Sequence, residues 1–293
     1  MRLDLSSLVV SRPLILKDDP LIFGLNMLAG KSRSSPYRVI VVDEKGKVQG
    51  VLTGRRVLEV LIGYRGSSLI EKKGVHKVLR EPVHLFIDEA RHIFTLLTSP
   101  QAILQYMAEN KIGYVIVVDE QETVKGVVDE NAILNMLKGR RFGVKVEEVM
   151  TKKVHTIKPK TPLFEAAKKM IEHRVRRLPV IEHETVKGLI TITDILNHII
   201  SREKHVELTR LDVKPRIEDV LEGPVENVMS KNVISTKPNV DLGTVIDEML
   251  KHDISGMPIT AHEEKLVGVV SRVDIIASLT KLLGAQHLIE LMS

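Results

Sequence analysis

The sequence predicts an α+β fold built from four β-α-β-β-α repeats paired into two pseudo-two-fold modules. A glycine followed by two apolar residues recurs four times, at Gly50-Val51-Leu52, Gly126-Val127-Val128, Gly188-Leu189-Ile190 and Gly268-Val269-Val270. Each triplet closes the second of two Val- and Ile-rich runs joined by a short acidic turn, and an apolar stretch of helical spacing stands on either side. A unit written several times in one chain marks a repeat architecture.

The first strand of each hairpin is expected at 37–43, 114–119, 177–182 and 257–260, and the second at 47–53, 123–129, 185–191 and 265–271. Runs of Val and Ile of this length, bounded by turn residues and separated by loops of about three to five residues, are hairpin strands. Helices are expected before the hairpins at 20–30, 100–110, 162–173 and 242–252. The stripe Leu163, Phe164, Ala166, Ala167, Met170, Ile171 is the clearest, and Pro162 suits a first helical turn. Helices after the hairpins are expected at 57–62, 132–137, 195–200 and 275–283, and short leading strands at 14–16, 93–95, 154–156 and 233–235.

Periodicity lapses at Gly139-Arg140-Arg141-Phe142-Gly143, which sets the boundary between the two modules. A charged interruption at 201–216 separates the third and fourth repeats. The repeats are accordingly taken as 1–70, 71–141, 142–205 and 206–293.

With 293 residues, 43 % of them apolar, the chain has the composition of a globular protein able to bury cores. No apolar run reaches the roughly 18 residues that span a bilayer, and Met1-Arg2-Leu3-Asp4 has no signal pattern, so a cytoplasmic protein without a membrane partner is expected. The absence of cysteine removes disulfides, thiolate metal sites and cysteine nucleophiles together. A net charge of +5 is spread evenly along the chain and favours phosphate-bearing ligands only weakly.

Two hairpins end in a pattern with chemical content: Thr191-Ile192-Thr193-Asp194 and Ser271-Arg272-Val273-Asp274. A Ser or Thr at a helix start leaves N–H groups and a hydroxyl facing any anion there, and the helix dipole adds attraction for phosphate. A carboxylate one turn on can accept from both hydroxyls of a ribose. The same four residues also make the capping box of helices that hold no ligand, so the pattern alone leaves both roles open. Arg176 and Arg177 precede the third hairpin, within reach of a polyphosphate.

Arg176-Arg177-Leu178-Pro179-Val180-Ile181 with residues 186–194, and Ser255-Gly256-Met257-Pro258-Ile259 with residues 266–274, resemble the cystathionine β-synthase (CBS) domain. The resemblance extends over nearly the whole chain as four tandem domains in two Bateman modules. The layout is similar to that of the γ subunit of AMP-activated protein kinase and its stand-alone archaeal relatives. It implies adenine nucleotides bound between paired domains: Thr191 and Asp194 in one site with Val154 and Thr156 beside the base, Ser271 and Asp274 in the other with Val233 and Ser235. It places Arg176 and Arg177 on phosphate. The implied ligand is AMP, ADP or ATP, with S-adenosylmethionine as an alternative that shares the adenosine. No catalytic role, cofactor or metal is implied. The expected partners are the nucleotide and a regulated protein, with a second copy of the chain left open.

The first two repeats depart from this pattern. Thr53-Gly54-Arg55-Arg56 puts Arg56 where the ribose carboxylate would be, and Asp129-Glu130-Asn131-Ala132 keeps neither group, so the N-terminal module is expected to bind adenosine nucleotides poorly. Arg38, Arg55 and Arg56 could hold a phosphate without a ribose, or stand solvated. The 11 histidines are scattered without ligand spacing, and no P-loop, Gly-rich dinucleotide fingerprint or nucleophile elbow occurs, which argues against an enzyme. The competing functions are nucleic-acid binding through basic runs such as Lys152-Lys153 and 174–177, poor in aromatics for stacking, and a ligand-free scaffold for a partner protein.

Overall fold

The computed structural model describes residues 3–30, 38–65, 67–209 and 216–293. The chain runs through β1 (Leu14–Leu16), α1 (Leu21–Ala29), β2 (Arg38–Val42), β3 (Val48–Thr53), α2 (Gly54–Leu61) and α3 (Ser67–Val78). Next come β4 (Ile93–Thr95), α4 (Pro100–Asn110), β5 (Tyr114–Val118), β6 (Val124–Asp129) and α5 (Glu130–Met136). The third stretch holds α6 (Leu163–Glu172), β7 (Arg177–Glu182), β8 (Thr185–Thr191), α7 (Ile192–Thr209) and α8 (Ile217–Val220). The last holds α9 (Leu242–Lys251), β9 (Gly256–Thr260), β10 (Leu266–Ser271), α10 (Arg272–Leu283) and α11 (Ala285–Met292). Among the described residues, no single helix is long and apolar enough to cross a membrane.

All four expected hairpins form, each antiparallel with a bulge near its turn. Val39, Ile40, Val41 and Val42 are all buried, as are residues 115–118, so these strands are covered on both faces and read as unbroken apolar runs. The helices after the hairpins begin two or three residues earlier than the apolar periodicity suggests, because their first turns are held by caps. Thr53 Oγ1, for instance, accepts from Arg56 N at 3.1 Å. Residues 201–209 do not interrupt the pattern; they continue α7. Tyr37 and residues 210–215 of the expected interruption lie outside the described residues. Helices α3, α8 and α11 have no counterpart among the expected elements.

The leading strands divide by repeat. β1 and β4 form as expected, parallel to β2 and β5. At 154–156 and 233–235 no strand forms, and a single parallel bridge survives one residue later, Ile157 to Val180 and Thr236 to Ile259. The cause is proline. Ile116 N donates to His92 O at 2.8 Å and anchors β4. Pro179 and Pro258 occupy the equivalent positions and have no N–H to donate, so the ladder cannot start.

The glycine triplets owe their glycine to a close approach. Val51 bridges Asp88, Val127 bridges Val10, Leu189 bridges Ser230 and Val269 bridges Thr151. Thus the segment leading into the second repeat pairs with the first hairpin, and the segment leading into the first pairs with the second. The third and fourth repeats exchange their lead-in segments in the same way. A Cβ on Gly50 would stand 2.6 Å from Ile87 Cδ1 and 2.7 Å from Asp88 O, and one on Gly188 would meet Met229.

Two compact units result, and neither follows chain order. One comprises Met1–Arg12, Arg91–Val154 and Ile234–Ser293; the other comprises Pro13–Ala90 and His155–Val233. The core of the second unit joins Leu25, Leu58 and Leu61 to Ala166, Ile195 and Leu196. In the first, Ile103, Leu104 and Ile133 pack with Ile246, Ile275 and Leu279. Each such Leu or Ile side chain contributes roughly 1.5–3 kcal/mol on burial. The segment 139–143 is tied to the first unit: Gly139 N donates to Asp247 Oδ1 at 2.8 Å and Gly143 N to Asp241 Oδ2 at 2.7 Å.

Candidate functional site

The β8 strand ends at Thr191 and α7 begins at Ile192, so the hydroxyl of Thr191 sits at a helix start by chain geometry. Asp194 N donates to Thr191 Oγ1 at 3.2 Å, and Asp194 Oδ2 accepts from Thr191 N at 2.8 Å and from Thr191 Oγ1 at 2.7 Å. This is a complete capping box. Only one carboxylate oxygen is used; Oδ1 has no partner among the described residues. Burial, opposed by the two bonds from Thr191, raises the Asp194 carboxyl above its ordinary value of 3.8. Hydroxyl donors reaching Oδ1 would offset that desolvation.

The arginine pair lies beside this cap. Arg177 is the register partner of Thr191, and Arg176 O accepts from Ile192 N at 3.0 Å. Thr156 belongs to the same packed unit, and its carbonyl accepts from Lys169 Nζ at 2.8 Å. In the same unit His155 stacks on His173, with centroids 3.9 Å apart and planes at 13°. Val154 is the last residue grouped with the other unit, the division falling between it and His155.

Ser271 and Asp274 repeat the arrangement at the start of α10. Asp274 Oδ2 accepts from Ser271 N at 2.9 Å and from Ser271 Oγ at 2.5 Å, and again Oδ1 has no partner among the described residues. Ser235, in the same unit, is engaged internally: its hydroxyl donates to Glu264 Oε2 at 3.3 Å, and Lys237 Nζ lies 3.3 Å from Glu264 Oε1. Val233 groups with the other unit. Glu264 and Lys237 carry no pattern that would have pointed to Ser235; the turn residues Glu263 and Glu264 fold back through positive φ.

The two divergent starts are occupied from within. Arg56 is 8 % exposed and pairs with Asp88 and, at 3.6 Å, with Glu59, so it is turned away from any phosphate. Asp129 accepts from Ala132 N at 2.9 Å and pairs with Arg12. Arg55 behaves differently: its Nη2 donates to Arg174 O at 2.6 Å. Arg174 was visible in sequence only as part of a basic run.

Small sheets flanked by helices, with lead-in segments exchanged between neighbours, define a tandem CBS-domain protein. The chain belongs to the CBS-domain family, whose profile matches residues 80–139, 146–201 and 225–281. An uncharacterized 33.4 kDa protein in the ribosomal RNA operon of Thermofilum pendens is 30% identical over 271 residues, covering 89% of this chain and 87% of that protein. Protein MJ1225 of Methanocaldococcus jannaschii is 24% identical over 248 residues, covering 82% and 86% of the two chains. Superposition on the crystal structure of MJ1225 gives a TM-score of 0.84 at 17% identity over 94% of this chain and all of that one, a likeness of fold.

Proposed function

We propose that the chain is a non-catalytic regulatory protein of four CBS repeats that binds adenine nucleotides in its C-terminal half. The first repeat falls outside the profile matches but has the element order of the second, which supports counting four. One site centres on Thr191 and Asp194, with Thr156, Arg176 and Arg177 in the same unit. The other centres on Ser271 and Asp274, with Ser235. The observation that carries this reading is the pair of first-turn aspartates, each with one oxygen spent on its own cap and the other without a partner among the described residues. A cap needs one oxygen; a ribose takes the second.

Occupancy would regulate a partner protein, or a second copy of the chain, by favouring whichever arrangement binds nucleotide better. Isothermal titration of AMP, ADP, ATP and S-adenosylmethionine tests the proposal, alongside the double variant Asp194→Ala/Asp274→Ala. Saturable binding lost in the variant supports it. Undiminished binding in the variant, or none by the intact protein, leaves both patterns as helix caps.

A further inference from the structure

We propose that Glu130 sets the specificity of the Ser271/Asp274 site, turning phosphate away and favouring an adenosyl compound whose other end carries a positive charge. This rests on the adenosine reading above and adds the class of ligand. Glu130 opens α5 directly after Asp129, as Arg272 opens α10 directly after Ser271. Arg272 Nη1 donates to Asn131 Oδ1 at 3.0 Å, so one bond joins the residue after Ser271 to the residue after Glu130. The acid thus stands in the turn that faces the proposed ribose cap.

Glu130 is 3 % exposed, and its Oε1 is enclosed without a hydrogen-bond partner. Its carboxylate enters no hydrogen bond or ion pair among the described residues. It lies against the backbone of Gly113, where an added Cβ would stand 2.8 Å from Glu130 Cδ and 2.9 Å from Oε1. Arg272, 2 % exposed, is committed elsewhere: besides Asn131 it donates to Met249 O at 3.1 Å and lies 3.6 Å from Asp253. Capping does not account for the acid either, because Asp129 already accepts from Ala132 N at 2.9 Å. A carboxylate withdrawn from water without a partner costs free energy that a cation beside it recovers. A phosphate brought to the same place adds a like charge at low dielectric and is repelled. Discrimination of this kind works by excluding the wrong ligand as much as by holding the right one.

The other unit provides an internal comparison. There the places of Glu130 and Arg272 are held by Gly54 and Ile192, and a Cβ on Gly54 would stand 3.0 Å from Ile192 Cγ2. The fold therefore closes this junction with uncharged residues, and packing does not demand a carboxylate in it. The fourth hairpin also has no basic pair at its start: Gly256 is the register partner of Ser271 where Arg177 is that of Thr191.

The test is titration of the full chain with adenosine, AMP, S-adenosylhomocysteine and S-adenosylmethionine, with Asp194→Ala present throughout to silence the other site. That parent is compared with chains carrying in addition Glu130→Gln, or Gly113→Ala, which keeps the acid but forces its carboxylate from its place. The readout is the affinity for S-adenosylmethionine relative to AMP within each protein. It is expected to exceed one in the parent and to fall about tenfold or more in Glu130→Gln, as for loss of a charge-assisted contact. S-adenosylhomocysteine, which lacks the sulfonium charge, is expected to bind the parent more weakly than S-adenosylmethionine, a comparison that stands even if a variant fails to fold. A parent ratio of one or less, or a ratio unchanged in both variants, overturns the role of Glu130 and leaves the adenosine site standing. Absence of binding by all four compounds overturns the adenosine reading and the selection together.

Discussion

Asp194 and His198 sit one turn apart on α7, and burial raises the pKa of the one and lowers that of the other. The raised Asp194 carboxyl must be ionised to accept from hydroxyls, so acid competes with ligand. Affinity at this site is expected to decline, as pH falls, sooner than at a site with an ordinary carboxylate; titration of the Asp274→Ala variant over a pH series isolates it. His198 Nε2 donates to Val220 O at 3.0 Å, and burial, opposed by that bond, lowers its basicity below 6.5. His155 is shifted the same way, first by desolvation and then by His173 and Lys169. For a base whose folded-state value is depressed, the unfolded chain takes the proton first. Stability is then full above about pH 6.5 and drains away as pH falls through that value. The melting midpoint should drop between about pH 7.5 and pH 5.5, and drop less in His198→Gln. An equal drop in both would remove His198 from the account.

At the level of elements, the triplet glycines allow a direct comparison. A methyl group at Gly50 meets the carbonyl of Asp88, which is backbone, whereas one at Gly188 meets the thioether of Met229, which can turn aside. Gly50→Ala is expected to cost about 1–3 kcal/mol and Gly188→Ala less, read from urea unfolding midpoints. The reverse ranking would mean that the lead-in segments are not what fixes these positions. The hairpins, their flanking helices and both Ser/Thr-Asp pairs were legible in the sequence because β-branched runs and helix stripes have local periods. The failure of the strands at 154–156 and 233–235 was written in Pro179 and Pro258. It could be understood only once the register showed which N–H a parallel neighbour needs. The Glu264 bond to Ser235 and the Arg55 bond to Arg174 O join residues 29 and 119 positions apart, and no local pattern carries such information.

For the molecule as a whole, the packed units run across the order of the chain. Leu25 and Leu58 in the first repeat share one core with Ile195 and Leu196 in the third. Cutting at residue 141 would therefore uncover the faces of α1 and α2 that pack on α7. The fragment 1–141 is expected to self-associate or lose cooperative unfolding, which light scattering and denaturant titration would reveal. A stable monomer with a sharp transition would show that half the chain suffices. The division of the core was not legible from the lapse at 139–143, because two glycines around a basic pair mark a turn without saying which surfaces meet beyond it.

The exchange of lead-in segments also limits how such a chain can change over evolutionary time. Each hairpin is finished by the stretch that introduces its neighbour, so a lone extra copy would bring a hairpin lacking its third partner and a stretch with nowhere to dock. Lineages of this kind should gain and lose copies two at a time, and viable internal deletions should be even-numbered.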